Sequence, residues 1–201
     1  MRIAVTGTHG VGKTTLIGDF LELHRAYQHV PEPYWELVEQ GVVFPEEPSV
    51  DGFLEQLEHS VATILGLAAE PDLVFDRCPL DFIAYLEAVG ARTGDGWMPA
   101  GRLLARVEAA LATLDLIVLV PLERRDFGAS AVDRPKLRRA VDARLKGMVR
   151  DDAFGLLGRE PRVVVIGGSR RERVAALNRA LTRERVGDGP ATDGSASGAP
   201  A

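Results

Sequence analysis

Cysteine occurs once in this 201-residue chain, at Cys78. A single thiol cannot close an internal disulfide, which suits a reducing compartment. No apolar run approaches the roughly 20 residues that span a bilayer, so no membrane partner is expected. The start also lacks the long apolar region and small-residue cleavage site of a secretory signal. Met1-Arg2 runs into Ile3-Ala4-Val5 and then glycines, and the expected location is cytoplasmic. Positive charge is in deficit, with a net charge of -5, so the chain has no general attraction to nucleic acid. What remains is ordinary for a soluble globular protein: 46% hydrophobic and 26% charged residues, in a length that suits one domain.

Short apolar runs alternate with helical patterns. Ile3-Ala4-Val5, His29-Val30, Leu73-Val74-Phe75, Leu116 to Val120 and Val163 to Ile166 read as five strands. Between them, apolar stripes at helical spacing run through Leu16 to Leu21, Phe53 to Ala68, Phe82 to Val89, Leu103 to Leu111, Leu137 to Val149 and Val174 to Leu181. Such alternation predicts an α/β fold, a parallel sheet with helices on both faces. Residues 122–135 are charged and irregular. From Gly187 the chain has no large apolar residue and cannot bury enough surface to offset its ordering entropy, so 187–201 are expected to be a disordered tail.

Gly7-Thr8-His9-Gly10-Val11-Gly12-Lys13-Thr14 matches the phosphate-loop pattern G-x-x-x-x-G-K-[ST] in full, between a predicted strand and a predicted helix. Its glycines let backbone N–H groups converge on phosphate oxygens, and the helix start adds its positive end. Lys13 supplies a charge to the β- and γ-phosphates, and the Thr14 hydroxyl can ligate magnesium. Lysine occurs at only three positions, so Lys13 does not come from a lysine-dense surface. His9 occupies a variable position of the loop. The expected ligands are ATP and Mg2+.

Open α/β sheets bind ligands at the carboxyl ends of their strands. Val30-Pro31-Glu32-Pro33-Tyr34-Trp35 follows the second strand and Asp76-Arg77-Cys78-Pro79 ends the third. Glu32, braced by prolines, suits a base that takes a proton from a hydroxyl acceptor. Asp76 suits a magnesium-orienting acid, and Arg77 a cation that stabilises the transferred group.

These three segments, with Thr15 extending the phosphate loop and Trp35 beside the Glu32-Pro33 pair, resemble the deoxynucleoside kinase and herpesviral thymidine kinase group. The chain is also similar to small bacterial P-loop ATPase/kinase proteins of the AAA-like and nicotinamide-riboside-kinase-like kind. The resemblance covers roughly residues 1–185. It implies kinase strand order 2-3-1-4-5, an arginine-bearing lid, Glu32 as base, Asp76-Arg77 as the family's acidic-Arg pair, and Gln56 and Trp35 as acceptor contacts. Thymidylate kinases carry similar Glu-Pro and Asp-Arg pairs, so the motifs do not separate nucleoside from nucleotide acceptors.

Glu123-Arg124-Arg125-Asp126 and Asp133-Arg134 lie where P-loop kinases keep their lid, about residues 122–136. Arg125 and Arg134 are the lid candidates, while Lys136, Arg138, Arg139 and Arg144 read as a solvated helix face. In related kinases the turn after the last strand lines the adenine, so the resemblance implies that role for Gly168, where glycine permits close approach. Together these readings describe a kinase-like domain over 1–186, acting on a nucleoside, nucleotide or related metabolite. The alternative is an acceptor-independent ATPase or nucleotide switch. The long helices offer faces on which two protomers could pair as a homodimer.

Overall fold

The computed structural model describes residues 1–94, 96–126, 134–152, 154–158 and 161–187, with the backbone alone at 93, 125 and 183–187. Residues 188–201, which hold nearly all of the expected tail, and 127–133 of the expected lid lie outside the described residues. The strands are β1 (Arg2–Thr6), β2 (Gln28–Val30), β3 (Leu73–Asp76), β4 (Leu116–Leu119) and β5 (Arg162–Val165). The helices are α1 (Lys13–Leu23), α2 (Pro33–Glu39), α3 (Val50–Gly66), α4 (Pro79–Thr93), α5 (Gly101–Leu111), α6 (Pro135–Asp151) and α7 (Arg170–Gly187).

All strand pairs are parallel, in the order β2-β3-β1-β4-β5. The central strands β1, β3 and β4 are buried on both faces, which explains their continuous apolar runs. Alternate residues feed two cores. Ala4, Phe75, Ile117 and Leu119 pack with α3, α4, α5 and α6. Ile3, Val5, Val74, Leu116 and Val118 pack with α1 and α7. Phe20 of α1 is fully buried there, a contribution of about 1.5–3 kcal/mol for a side chain of its class.

The differences from the sequence reading are local. β4 stops at Leu119 and β5 starts at Arg162, one residue from the expected ends. Ala68 lies beyond α3, which ends at Gly66. α2 carries no expected stripe: only Pro33 and Leu37 of its seven residues are buried, so helical spacing leaves little trace.

Parallel register sets the site. Val5 pairs with Asp76, Thr6 with Leu119 and Val30 with Phe75. The segments that follow β1, β2 and β3 therefore leave the sheet at the same edge.

Candidate active site

The phosphate loop turns sharply out of β1. Gly7 has φ of 147°, and a Cβ there would meet the Val120 carbonyl oxygen at 2.5 Å, so only glycine fits. Gly12, in the left-handed region at φ 88°, caps α1 at its start. Lys13 is buried at the head of α1 and its Nζ donates to the Thr8 carbonyl at 3.1 Å. Burial and then the nearby Arg77 push its pKa down to about 8, against the pull of Glu32, Asp76 and Asp81. The hydroxyl of Tyr85, on α4, accepts from the His9 backbone N–H at 3.0 Å and lies 3.0 Å from His9 Nδ1 and 3.3 Å from Thr8 Oγ1. The Tyr85 ring stacks on Phe53 of α3, centroids 4.5 Å apart.

The Thr14 hydroxyl donates to Asp76 Oδ2 at 2.7 Å. Asp76 Oδ1 is buried with no hydrogen-bond partner. A buried carboxylate oxygen without a partner is costly unless something positive or protic completes it. Among the described residues no group of three or more His, Cys, Asp or Glu could cage a metal. One hydroxyl and one carboxylate, with remaining positions left to phosphate and water, is the oxygen set that magnesium takes. The donors therefore fit Mg2+.

Glu32 and Arg77 meet across 45 residues of chain: Arg77 Nε donates to Glu32 Oε1 at 2.5 Å. Arg77 Nη1 donates to the Gly7 carbonyl at 3.0 Å and to Asp81 Oδ1 at 3.1 Å. Burial raises the Glu32 pKa, but Arg77 and Lys13 outweigh it and hold the carboxyl below the usual range. Burial opposes the Arg77 charge in turn, and Glu32 with Asp81 and Asp76 more than restores it. Arg77 stands at φ 82°, a strained conformation for a side chain of its size. Its backbone N–H bonds the Val5 carbonyl at 3.0 Å, and its side-chain bonds hold it there.

Asp81, like Tyr85, is a residue that the sequence reading missed. It is 0% exposed and accepts from Gly7 N, Cys78 N and Arg77 at once. The signal was present: Cys78-Pro79-Leu80-Asp81 has the spacing of a capping box, and α4 begins with one. Cys78 is fully buried, and burial followed by the Asp81 charge drives its thiol pKa far up, so it is no nucleophile.

Arg138 corrects an expectation. It is 3% exposed, because α6 turns this residue of its basic face onto the loop rather than to solvent. Its Nε donates to the His9 carbonyl at 3.0 Å and Nη1 to the Asp126 carbonyl at 2.8 Å. Arg134, by contrast, pairs with the Glu47 carboxylate and donates to the Glu46 carbonyl at 3.1 Å. Arg125 lies in a 3-10 turn, Arg124–Asp126, with its side chain outside the described residues. Gln56 is buried on α3, its amide donating to the Gly52 carbonyl of its own helix at 3.0 Å. Trp35 is 60% exposed, edge-on to Tyr34.

A cleft of about 280 Å³ runs along the other side of the loop. It is lined by Gly10, Val11, Gly12, Thr15, Leu16 and Asp19 of the phosphate loop and α1, and by Asp126, Gly168, Arg170 and Arg173. The Gly168 N–H donates to Glu123 Oε1 at 2.8 Å. The cleft is thus shared by the phosphate loop and the turn after β5.

A family model described as an AAA domain matches residues 2–173. The chain belongs to the AAA-domain family. Its fold is that of deoxyadenosine kinase from M. mycoides with bound dATP: TM-score 0.60 at 12% identity, over 90% of this chain and 100% of that one. The same kinase with the products dCMP and a flexible dCDP gives TM-score 0.62 at 12% identity, over 91% of this chain and all of that one. YorR from Bacillus subtilis, in complex with phosphorylated GDP, gives 0.50 at 13% identity, over 94% of this chain and 100% of that one. No curated protein matches the chain. This AAA-domain chain therefore has the P-loop kinase fold, with the strand order that the resemblance implied. No helix among its described residues is long and apolar enough to cross a membrane.

Proposed function

We propose that this chain is an ATP- and magnesium-dependent small-molecule kinase, moving the γ-phosphoryl of ATP to a nucleoside, nucleotide or related metabolite. One observation carries the reading: the Glu32 carboxylate is held by Arg77, and Arg77 by the first glycine of the phosphate loop. A pure phosphate-binding loop needs no carboxylate poised beside it. A transferase with a hydroxyl acceptor does.

In this reading the loop amides and Lys13 hold the β- and γ-phosphates. Glu32, kept ionised by Arg77, takes the proton of the acceptor hydroxyl. The acceptor oxygen bonds to the γ-phosphorus while the bond to the β–γ bridging oxygen breaks, leaving ADP. Arg77 and Arg138 offset charge on the transferring group. Thr14 and Asp76 would hold magnesium, which would supply positive charge against the phosphates. Residues 1–186 would act as one kinase domain, with Gly168 beside the adenine.

The nucleotides named for the structural neighbours support the nucleoside and nucleotide classes as acceptors. A second reading, acceptor-independent ATP hydrolysis by a nucleotide switch, draws on the AAA-domain match. Acceptor-stimulated ADP release separates the two.

A further inference from the structure

Arg173, in the first turn of α7, has no role in the chemistry above, yet its surroundings are those of a ligand-binding group. It is 7% exposed and lines the cleft beside the phosphate loop. Its Nη1 donates to the Val11 carbonyl, and a Cβ at Gly12 would stand 3.2 Å from the same nitrogen. Its other two nitrogens, Nε and Nη2, are buried without any hydrogen-bond partner. The Glu123 carboxylate lies 3.8 Å from Nη2, beyond hydrogen-bond length, and balances charge without filling either donor.

Nε and Nη2 form one edge of the planar guanidinium. That edge presents two parallel N–H groups, the fork that matches two oxygens of a phosphate. Leaving such a fork buried and unfilled is expensive. Gly12 and Thr15 of the phosphate loop line the same cleft, and the complementary chemistry there is a phosphate of the bound nucleotide that is not transferred.

We propose that Arg173 is a donor-binding residue: its Nε–Nη2 edge grips the α-phosphate of the nucleotide, while Nη1 fixes the loop through Val11. This rests on the reading of the loop as a nucleotide donor site. The binding couples the turn after β5 to the phosphate loop, because α7 carries Arg173 directly behind Gly168 and Arg170. Arginine is required rather than a bare positive charge, since lysine can satisfy Val11 but offers no fork.

Calorimetric titration of the full chain with ADP, AMP and adenosine tests this, using Arg173→Met and Arg173→Lys. A bidentate charged contact is worth on the order of tenfold to a hundredfold in affinity. ADP and AMP affinities should fall by about that factor in Arg173→Met, with adenosine affinity unchanged. Arg173→Lys should recover only part of the loss, at an unchanged melting temperature. Full recovery in Arg173→Lys, or an equal loss for adenosine, would reduce Arg173 to a loop brace and overturn the proposal. So would unchanged ADP and AMP affinity in Arg173→Met. A wild-type chain that binds no ADP removes the donor site and this proposal together, whereas wild-type binding with indifferent Arg173 variants removes this proposal alone.

Discussion

Arg77 Nε donates to Glu32 Oε1 at 2.5 Å, and the same guanidinium reaches Gly7 and Asp81 through Nη1. One side chain thus ties the end of β2, the start of the phosphate loop and the first turn of α4. Any ligand that moves the loop acts on the carboxylate through this cation. In the proposed kinase, that link holds Glu32 ionised.

Glu32→Gln keeps the side-chain shape and removes the proton acceptor. ADP affinity should stay within about twofold of wild type. Turnover of a hydroxyl acceptor should fall by about a hundredfold or more, the usual range for a lost general base. Steady-state kinetics and ADP titration check both. If turnover survives, the acceptor oxygen is already anionic.

Asp81→Ala leaves the buried Gly7 and Cys78 N–H groups without their acceptor and removes one of the two carboxylates bound to Arg77. The loss should be about 2 kcal/mol or more, because each buried donor left unpaired costs about 1–3 kcal/mol. Urea unfolding measures it. A loss under about 1 kcal/mol in Asp81→Ala would place Asp81 outside the network.

Lys13 gives a pH prediction with a definite sign. Its folded pKa, about 8, lies below the ordinary 10.5. In the unliganded chain it sheds its proton above about pH 8, so stability should rise from there toward pH 10.5. Phosphate favours the charged form. MgADP affinity should therefore be level below pH 8 and weaken above it, by up to about tenfold per pH unit for one linked proton. Calorimetry between pH 6.5 and 9.5 reads the bend. Constant affinity across that range would mean that Lys13 does not titrate there.

Asp76→Asn should make nucleotide affinity insensitive to magnesium while leaving the fold intact. In wild type, chelating the metal should lower ADP affinity and stop turnover. Titrations with and without Mg2+ decide it. Equal magnesium dependence in wild type and Asp76→Asn would assign the unpartnered Oδ1 another function.

What could be read in advance followed from locality. The phosphate loop is one continuous segment, and the central strands are apolar without interruption because both sides of the sheet are covered. Parallel alternation then puts Glu32, Asp76 and Arg77 at strand ends on one edge. Tyr85 escaped notice because its partner His9 is 76 residues away, and the local cap that Asp81 forms gives no sign of its bond to Gly7, 74 residues away. Each looks like an ordinary residue of an amphipathic helix. Arg138 sits among basics that read as a solvated face, and only the packing of α6 on α4 shows which of them turns inward. Arg134 lies four residues earlier and pairs instead with Glu47, a surface loop residue that no spacing rule connects to it.

The most direct test of the central claim is ADP release from MgATP, measured alone and with panels of nucleosides, nucleotides and hydroxylated metabolites. A kinase should release ADP slowly alone and faster with one acceptor class, forming one phosphorylated acceptor per ADP. Release that is the same with and without every acceptor, yielding only inorganic phosphate, would contradict it.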